Sequence, residues 1–366
     1  MKIIYISASI IPSKHANSVH VMKMCQAFGR EGHDVSLIAT AGEKIDPYEY
    51  YNVDRDFKLI QTYSFKRCPK FSFINRLLST IKYSQDADIF YTRWLMAAML
   101  LIIMGKKNIV FEHHHFSKKS SNRFFEKKIV QSKGIVRHVF ITKSLKEAFF
   151  NVYPVLEKKD VLVLPDGADI PCSKPYFDKN KKKITCGYIG SFKKGKGVET
   201  VVKIAERIPT MLFHIIGGTE NEIQKIKSNT KTKNIIWHGF LDQKKAMNVL
   251  KNDIDIALLP NQLNVYVGNE RELDIGKWTS PMKMFEYMSM GKIIIASNIP
   301  VLKEILIDKE NALLVHPVSI DSWVEAIIRV ENNWDDMIDI RKNAYRDLIE
   351  KYNWSIRSEK SIEGLK

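Results

Sequence analysis

Ile184-Thr185-Cys186-Gly187-Tyr188-Ile189-Gly190-Ser191-Phe192-Lys193-Lys194-Gly195-Lys196-Gly197 is the stretch whose reading decides the fold. Ile184–Ile189 is a short apolar, β-prone run. Val198–Arg207 beyond the loop has helical spacing. A strand feeding a helix through a glycine-rich loop is the repeating unit of an α/β sheet. The glycines let the backbone approach a diphosphate, Lys196 supplies charge, and the helix N-terminus adds its dipole. The loop nearly matches the phosphate pattern Gly-x4-Gly-Lys-Ser/Thr. Its last position is Gly197, so the hydroxyl that would hold magnesium is missing. The plainer alternative is a strand-to-helix connection with surface lysines.

Working outward, the alternation continues. Met211–Ile216, Asn234–Trp237, Ile254–Leu259 and Lys292–Ser297 read as strands. Asn221–Lys227, Gln243–Lys251 and Pro281–Met290 read as helices, and helical segments dominate from Asp321 onward. Upstream, Pro171–Lys183 is a break rich in Lys, Pro and Asp. Before it the same alternation runs through strands at Lys2–Ser7, Asp34–Thr40, Asp88–Tyr91, Asn108–Glu112 and Val136–Thr142, with a helix at Ser18–Arg30. Short, continuously apolar strands between helices imply parallel sheets covered on both faces. The expected architecture is therefore α/β, with two doubly wound Rossmann-like domains facing a central cleft. In such sheets ligands bind outside the carboxyl ends of the strands.

Composition agrees. The chain has 366 residues, 45% hydrophobic, 10% aromatic and 27% charged, which excludes disordered, collagenous and coiled-coil classes. Cysteines at 25, 68, 172 and 186 form no Cys-x-x-Cys pair, so neither a zinc framework nor a disulfide scaffold is expected, and reduced thiols fit a cytoplasmic setting. Met1–Ile6 reads as a strand rather than a signal peptide. The longest apolar run, Trp94 to Met104, has eleven residues, against about 20 for a membrane span. Net charge is +16. Residues 1–180 carry 28 basic and 17 acidic groups and residues 181–366 carry 29 and 24. Such a field favours polyanions: nucleic acid, anionic lipid or phosphorylated substrates. The basic residues are 44 Lys and only 13 Arg, which a lysine-rich genome also explains.

Four further motifs carry chemistry. In Thr279-Ser280-Pro281-Met282-Lys283-Met284-Phe285-Glu286-Tyr287-Met288, Ser280 is expected to cap a helix whose first position is Pro281. Its N-terminus is a ready anion site, and Glu286 interrupts an apolar face where a carboxylate accepts two hydrogen bonds from a vicinal diol such as a ribose. Phe111-Glu112-His113-His114-His115-Phe116 ends a strand. Consecutive histidines in extended chain point to alternate sides and do not converge on one ion, so one of them is expected to act as a hydrogen-bond donor to substrate and no metal is expected. Asn252-Asp253-Ile254-Asp255 looks like a metal-binding Asp-x-Asp, but it opens an apolar strand and reads as structural. Basic and aromatic residues interleave from Phe65 to Arg76 and from Phe116 to Lys128. These stretches suit an anionic membrane surface, single-stranded nucleic acid, or plain solvated helix faces.

Together these pieces resemble the retaining glycosyltransferases of the GT-B fold, glycosyltransferase family 4, over nearly the whole chain. Gly32-His33-Asp34-Val35, Phe111-Glu112-His113-His114, Ile141-Thr142-Lys143-Ser144, Leu164-Pro165-Asp166-Gly167-Ala168-Asp169, Tyr188–Gly197, Ile216-Gly217-Gly218, Gly239-Phe240-Leu241 and Leu258-Leu259-Pro260 follow the family's order. Ser280–Met288 with Gly291-Lys292 is the most specific piece. Tyr352-Asn353-Trp354-Ser355 resembles the tail that packs back onto the first domain. The resemblance implies an acceptor-side domain over 1–175, joined by the terminal helix 353–366, and a donor domain over 176–352. It implies a nucleotide-diphosphate sugar as donor and a glycan or polyprenyl-linked acceptor in surface polysaccharide or lipid-linked oligosaccharide synthesis. No cofactor, metal or nucleic acid is implied. Lys196 would face the diphosphate, Glu286 the ribose, and the backbone at Leu241 the base. Gly190, Ser191, Gly217, Ser280, Pro281 and Lys283 would line the donor, Ala16 and Asn17 would close on it, and His114 would border the acceptor. The basic first domain would hold a cytoplasmic enzyme at a membrane face.

The chain departs from the family in two places. Ser191 stands where an Arg is frequent, and Trp278 stands where a second Glu often contacts the donor sugar; Glu270, Glu272 or Asp274 are the nearby carboxylates. An inactive scaffold of the same fold, a nucleotide-sugar epimerase and a nucleic-acid-binding protein are the alternative readings.

Overall fold

The structure, a computed structural model, describes residues 1–63, 72–84, 87–117, 120–267 and 273–365. The basic-aromatic residues from Phe65 to Phe71, Lys118 and Lys119, and the carboxylates Glu270 and Glu272 lie outside the described residues. The chain forms two compact units. Unit 1 comprises Met1–Asp166 and Trp354–Lys366, and unit 2 comprises Gly167–Asn353. They part between Asp166 and Gly167.

Unit 1 is a parallel sheet of seven strands: β1 (Lys2–Ile11), β2 (Asp34–Ala41), β3 (Lys58–Thr62), β4 (Ile89–Thr92), β5 (Ile109–His113), β6 (Ile135–Phe140) and β7 (Val161–Val163). Their order is β3-β2-β1-β4-β5-β6-β7. Its helices are α1 (Ala16–Arg30), α2 (Pro47–Tyr51), α3 (Ser72–Tyr83), α4 (Leu95–Ile103), α5 (Ser120–Gln131) and α6 (Lys143–Phe150). The order reverses between β1 and β4, the place where a doubly wound sheet opens a crevice. The core joins Ile4, Ile6 and Ile38 to Phe90, Leu101, Ile109 and Phe111.

Unit 2 is a parallel sheet of six strands: β8 (Thr185–Ile189), β9 (Leu212–Ile216), β10 (Ile235–Gly239), β11 (Ile256–Leu259), β14 (Ile293–Ser297) and β15 (Leu313–Val315). A short antiparallel pair, β12 (Tyr266–Val267) and β13 (Leu273–Asp274), stands apart. The order β10-β9-β8-β11-β14-β15 reverses between β8 and β11. Its helices are α7 (Val198–Arg207), α8 (Glu220–Lys227), α9 (Gln243–Asp253), α10 (Met282–Ser289), α11 (Ile320–Asn332) and α12 (Ile338–Lys351). Along β14, Ile293 and Ile295 join one core and Ile294 and Ala296 the other. This is why the strand reads as a continuous apolar run instead of alternating.

The last helix, α13 (Trp354–Ile362), belongs to unit 1, where it packs on α1. Asp255 is structural. It accepts from Thr185 N at 3.0 Å and pairs with Lys181, fastening the start of β11 to β8. Cys25, Cys172 and Cys186 are free thiols. Among the described residues no helix is long and apolar enough to cross a membrane.

Candidate functional site

The chemistry of unit 2 gathers where its sheet reverses. Gly190 ends β8, and its backbone N–H donates to Ile216 O at 2.9 Å. Gly217, at φ +120°, crosses so close that a Cβ there would stand 1.9 Å from Gly190 O. Gly195 and Gly197 are also left-handed, and a Cβ on Gly197 would stand 2.1 Å from Pro260 O. The loop thus lies directly on the chain leaving β11. These are close backbone approaches that only glycine allows. Gly197 caps α7 with no side-chain acceptor of its own, so the first N–H groups of that helix are available to an anion.

Two amines occupy this place. Lys283 Nζ is buried without a hydrogen-bond partner and stands 4.2 Å from the centroid of the Tyr188 ring. The Tyr188 hydroxyl donates to Ser191 O at 2.9 Å, and the Tyr287 hydroxyl accepts from Ile189 N at 3.0 Å, so two tyrosines shape the end of β8. Burial pushes the Lys196 amine down to about 8, with the neighbouring Lys193 charge adding to the effect. Burial, and then the charge of Lys196, hold Lys283 well below the ordinary lysine value, while Glu286 opposes them. Lys196, Lys283 and Glu286 therefore share one electrostatic environment. Neither lysine forms an ion pair among the described residues.

Glu286 is half-buried on α10, and its Oε1 accepts from Gln243 Nε2 at 2.7 Å. Leu241 opens the same segment and packs on the core beside Ala246 and Leu250. Ser280 does not cap α10. Pro281 takes the extended cap conformation, φ −77° and ψ 112°, and its carbonyl accepts from Met284 N at 2.9 Å, so the helix begins at Met282, one residue later than the sequence spacing predicts. Proline has no N–H to lose at that position. Ser191 is exposed at the loop tip. Asp274 accepts from Val265 N and Gly276 N at 3.0 and 2.9 Å and from Asn264 at 2.6 Å, which ties it to shaping its own loop.

Unit 1 builds a second cluster. Glu112, at the end of β5, is fully buried. Its Oε2 accepts from Tyr91 Oη at 2.6 Å and pairs with Arg357 of α13 at 2.9 Å, while its Oε1 accepts a hydrogen bond from His114 Nε2. His20 of α1 bonds Asp166 at 2.8 Å through Nδ1. Its Nε2 lies 3.0 Å from Glu112 Oε1 but out of hydrogen-bond alignment. Burial would raise Glu112, but Arg357, His20 and His114 hold it well below the carboxylate range. Burial and the Arg93 charge push His114 down to about 3. A neutral ring whose Nε2–H is given to Glu112 presents an unprotonated Nδ1. His114 thus offers an acceptor, not the donor that the sequence led us to expect. His113 instead packs into the core, stacked 4.3 Å from Phe140.

His20, Glu112 and His114 each bring a ligand-type atom within 4.8 Å of the others. That spacing would suit a metal ion, but Arg357 already neutralises Glu112, and a cation there would face the guanidinium. Ala16 and Asn17 are exposed at the start of α1, with Asn17 Nδ2 donating to Ser9 Oγ at 3.2 Å.

Sequence reasoning missed Tyr188, Tyr287, Gln243, His20, Asp166 and Arg357 as members of these clusters. Tyr188, Tyr287 and Asp166 lie in motifs that had been singled out, but as spacing rather than as chemistry, and the pairings of His20 with Asp166 and of Glu112 with Arg357 join distant parts of the chain.

Comparison with known proteins gives consistent matches. Residues 171–347 match the family described as glycosyl transferases group 1, and residues 18–170 match the one described as glycosyltransferase family 4. An uncharacterized glycosyltransferase of Methanocaldococcus jannaschii is 27% identical over 245 residues, covering 61% of this chain and 57% of that protein; the chain thus spans little more than half the length of this curated relative. Among solved structures, a sucrose-phosphate synthase of Thermosynechococcus elongatus superposes with a TM-score of 0.73 at 17% identity, over 98% of this chain and 96% of that one. The Anabaena protein HepE, in complex with UDP-glucose, superposes with a TM-score of 0.73 at 13% identity, over 100% and 99%.

Proposed function

The chain belongs to the glycosyltransferases of group 1 and family 4, and from that premise we propose that it moves a sugar from a nucleotide-diphosphate sugar to a glycan or polyprenyl-linked acceptor with retention and without a divalent metal. The observation that carries this reading is a pair of amines at the reversal point of the unit 2 sheet, the half-buried Lys196 and Lys283 with its buried Nζ, neither of which has an ion-pair partner among the described residues. Buried cations without partners are costly. A diphosphate supplies the missing charge. That HepE has been captured with UDP-glucose supports a nucleotide sugar as the ligand class.

In the reaction the bond between the sugar's anomeric carbon and the diphosphate oxygen breaks. The electron pair leaves with the diphosphate, and an acceptor hydroxyl bonds the same face of the sugar and gives its proton to the departing diphosphate oxygen. Lys196, Lys283 and the N-terminus of α7 stabilise the charge developing on the leaving group, fixed before the reaction begins. Glu286, oriented by Gln243, receives the ribose diol. Leu241 lies against the base, and Gly190, Ser191, Gly217, Ser280 and Pro281 line the donor. His114 accepts a hydrogen bond from a substrate hydroxyl at Nδ1. Hexosyl or N-acetylhexosaminyl transfer in surface polysaccharide or lipid-linked oligosaccharide synthesis fits these contacts.

Two features favour work at a membrane surface on the cytoplasmic side. One is the net charge of +16. The other is α3, whose Ile74, Leu78 and Ile81 are 39%, 58% and 44% exposed while Thr80 is buried.

The test is a panel of UDP, ADP and GDP sugars assayed with chelator present, read by thermal shift and by donor hydrolysis. One nucleotide sugar is expected to raise the melting temperature and to be turned over without magnesium, with Lys196→Ala losing both. Turnover that depends on magnesium would sink the metal-free reading. Binding without turnover would leave only a scaffold.

A further inference from the structure

The reversal point of the unit 1 sheet also holds cations without counter-ions. Arg76 of α3 reaches over the carboxyl ends of β1 and β2, where its Nη1 donates to Ala8 O at 2.8 Å and to Thr40 Oγ1 at 2.7 Å. Its guanidinium lies 4.7 Å from the centroid of the Trp94 ring. These contacts fix the plane and leave its other edge unused. Nε is buried without a partner, and Nη2 makes no hydrogen bond among the described residues. Nε and Nη2 together form the edge with which arginine grips an oxyanion through two parallel hydrogen bonds.

Arg93 follows β4 directly, and β4 is the strand beside β1 at the same reversal point. It is half-buried and makes no hydrogen bond or ion pair among the described residues, and its charge acts on Tyr5, His114 and His115. No carboxylate is within ion-pair distance of either arginine among the described residues. Glu112, the acid near this rim, is already engaged by Arg357 and His114. Burial lowers Arg76 below the usual guanidinium value, as expected for a cation set in protein without a counter-charge.

The geometry points to an oxyanion site at the β1/β4 crevice, where the free edge of Arg76 and the side chain of Arg93 hold a phosphoryl or carboxylate group of the acceptor. This rests on the glycosyltransferase reading for the word acceptor, but the site lies wholly in unit 1 and involves none of the donor lysines. It means that the acceptor is anionic, and that a neutral glycan lacking such a group is a poor substrate. A phosphate-linked lipid carrier and an acidic sugar share this chemistry and are separated by the probe.

The experiment is a 31P titration of the full chain with methyl phosphate at physiological salt, with glucuronate as competitor. The wild type, Lys283→Ala, Arg93→Gln and Arg76→Lys are compared. Arg93 makes no hydrogen bond or ion pair among the described residues, so Arg93→Gln keeps the test readable if Arg76→Lys proves unstable. In the Lys283→Ala background, where the unit 2 amine is gone, methyl phosphate is expected still to bind, and Arg93→Gln is expected to weaken it at least fivefold. Displacement by glucuronate at lower concentration than methyl phosphate assigns the site to a carboxylate; the reverse assigns it to a phosphoryl group. Binding in that background that is unchanged by Arg93→Gln, or no binding there at all, overturns the inference. Failure of Lys283→Ala to affect the wild type's phosphate binding would instead count against the donor reading and leave this one standing.

Discussion

Lys196 and Lys283 lower the stability of the unliganded protein in return for a place to bind an anion. Because the folded value of Lys196 is about 8 against an ordinary 10.5, the unfolded chain binds more protons between those values, so stability rises with pH across that window. Lys196→Met is expected to stabilise the ligand-free protein at pH 7 by roughly 1–3 kcal/mol, the scale of such a shift after allowance for partial exposure, while losing UDP affinity. Urea midpoints with and without UDP read both effects. By the same linkage, affinity for UDP falls as pH rises through about 8; equal dissociation constants at pH 7 and 9 would contradict the role given to Lys196. Glu112 behaves in the opposite sense. Its folded value is held far below the ordinary 4.5, so its contribution is complete above that value and is lost on acidification. Glu112→Gln removes the carboxylate paired with the buried Arg357, at an expected cost of about 3–5 kcal/mol, measured by denaturant unfolding at neutral pH.

At the scale of elements, the glycine loop and α10 were legible because their signals are local. A Gly-rich strand-to-helix turn and a proline at a helix start need only neighbouring residues to act. The central strands were equally legible, since both their faces are buried and they read as unbroken apolar runs. The edge strands Lys58–Thr62 and Val161–Val163 escaped because nearly all their residues are half-buried or exposed and the apolar signature fades. The close crossing of Gly217 over Gly190 likewise left no mark beyond a second glycine, yet it is where the fold is least forgiving. Gly217→Ala must either part β8 from β9 or shift the loop. It is expected to destabilise by at least 2 kcal/mol, the scale of a steric and φ conflict in a buried turn, and to weaken UDP binding more than tenfold. A variant that melts with the wild type and binds UDP normally would show that the crossing is not needed.

For the molecule as a whole, the +16 charge predicts salt-sensitive binding to anionic surfaces. Cosedimentation with vesicles containing phosphatidylglycerol is expected at low salt, to weaken at high salt, and to fall further in Leu78→Glu, whose side chain points outward on α3. Absence of binding at low salt removes the membrane reading. The sequence alone determined that the chain is two parallel α/β units, that a phosphate-type loop opens the second and that Glu286 sits on a helix. These follow from period, apolar runs and turn residues, which act over a few positions. Only the tertiary structure decided which charges are paired. His20 meets Asp166 across a separation of 146 residues, Glu112 meets an arginine of the last helix, and Lys196, Lys283, Arg76 and Arg93 pair with no carboxylate among the described residues. Whether a buried charge is satisfied depends on everything packed around it, and that neighbourhood is assembled from segments whose proximity no local pattern encodes.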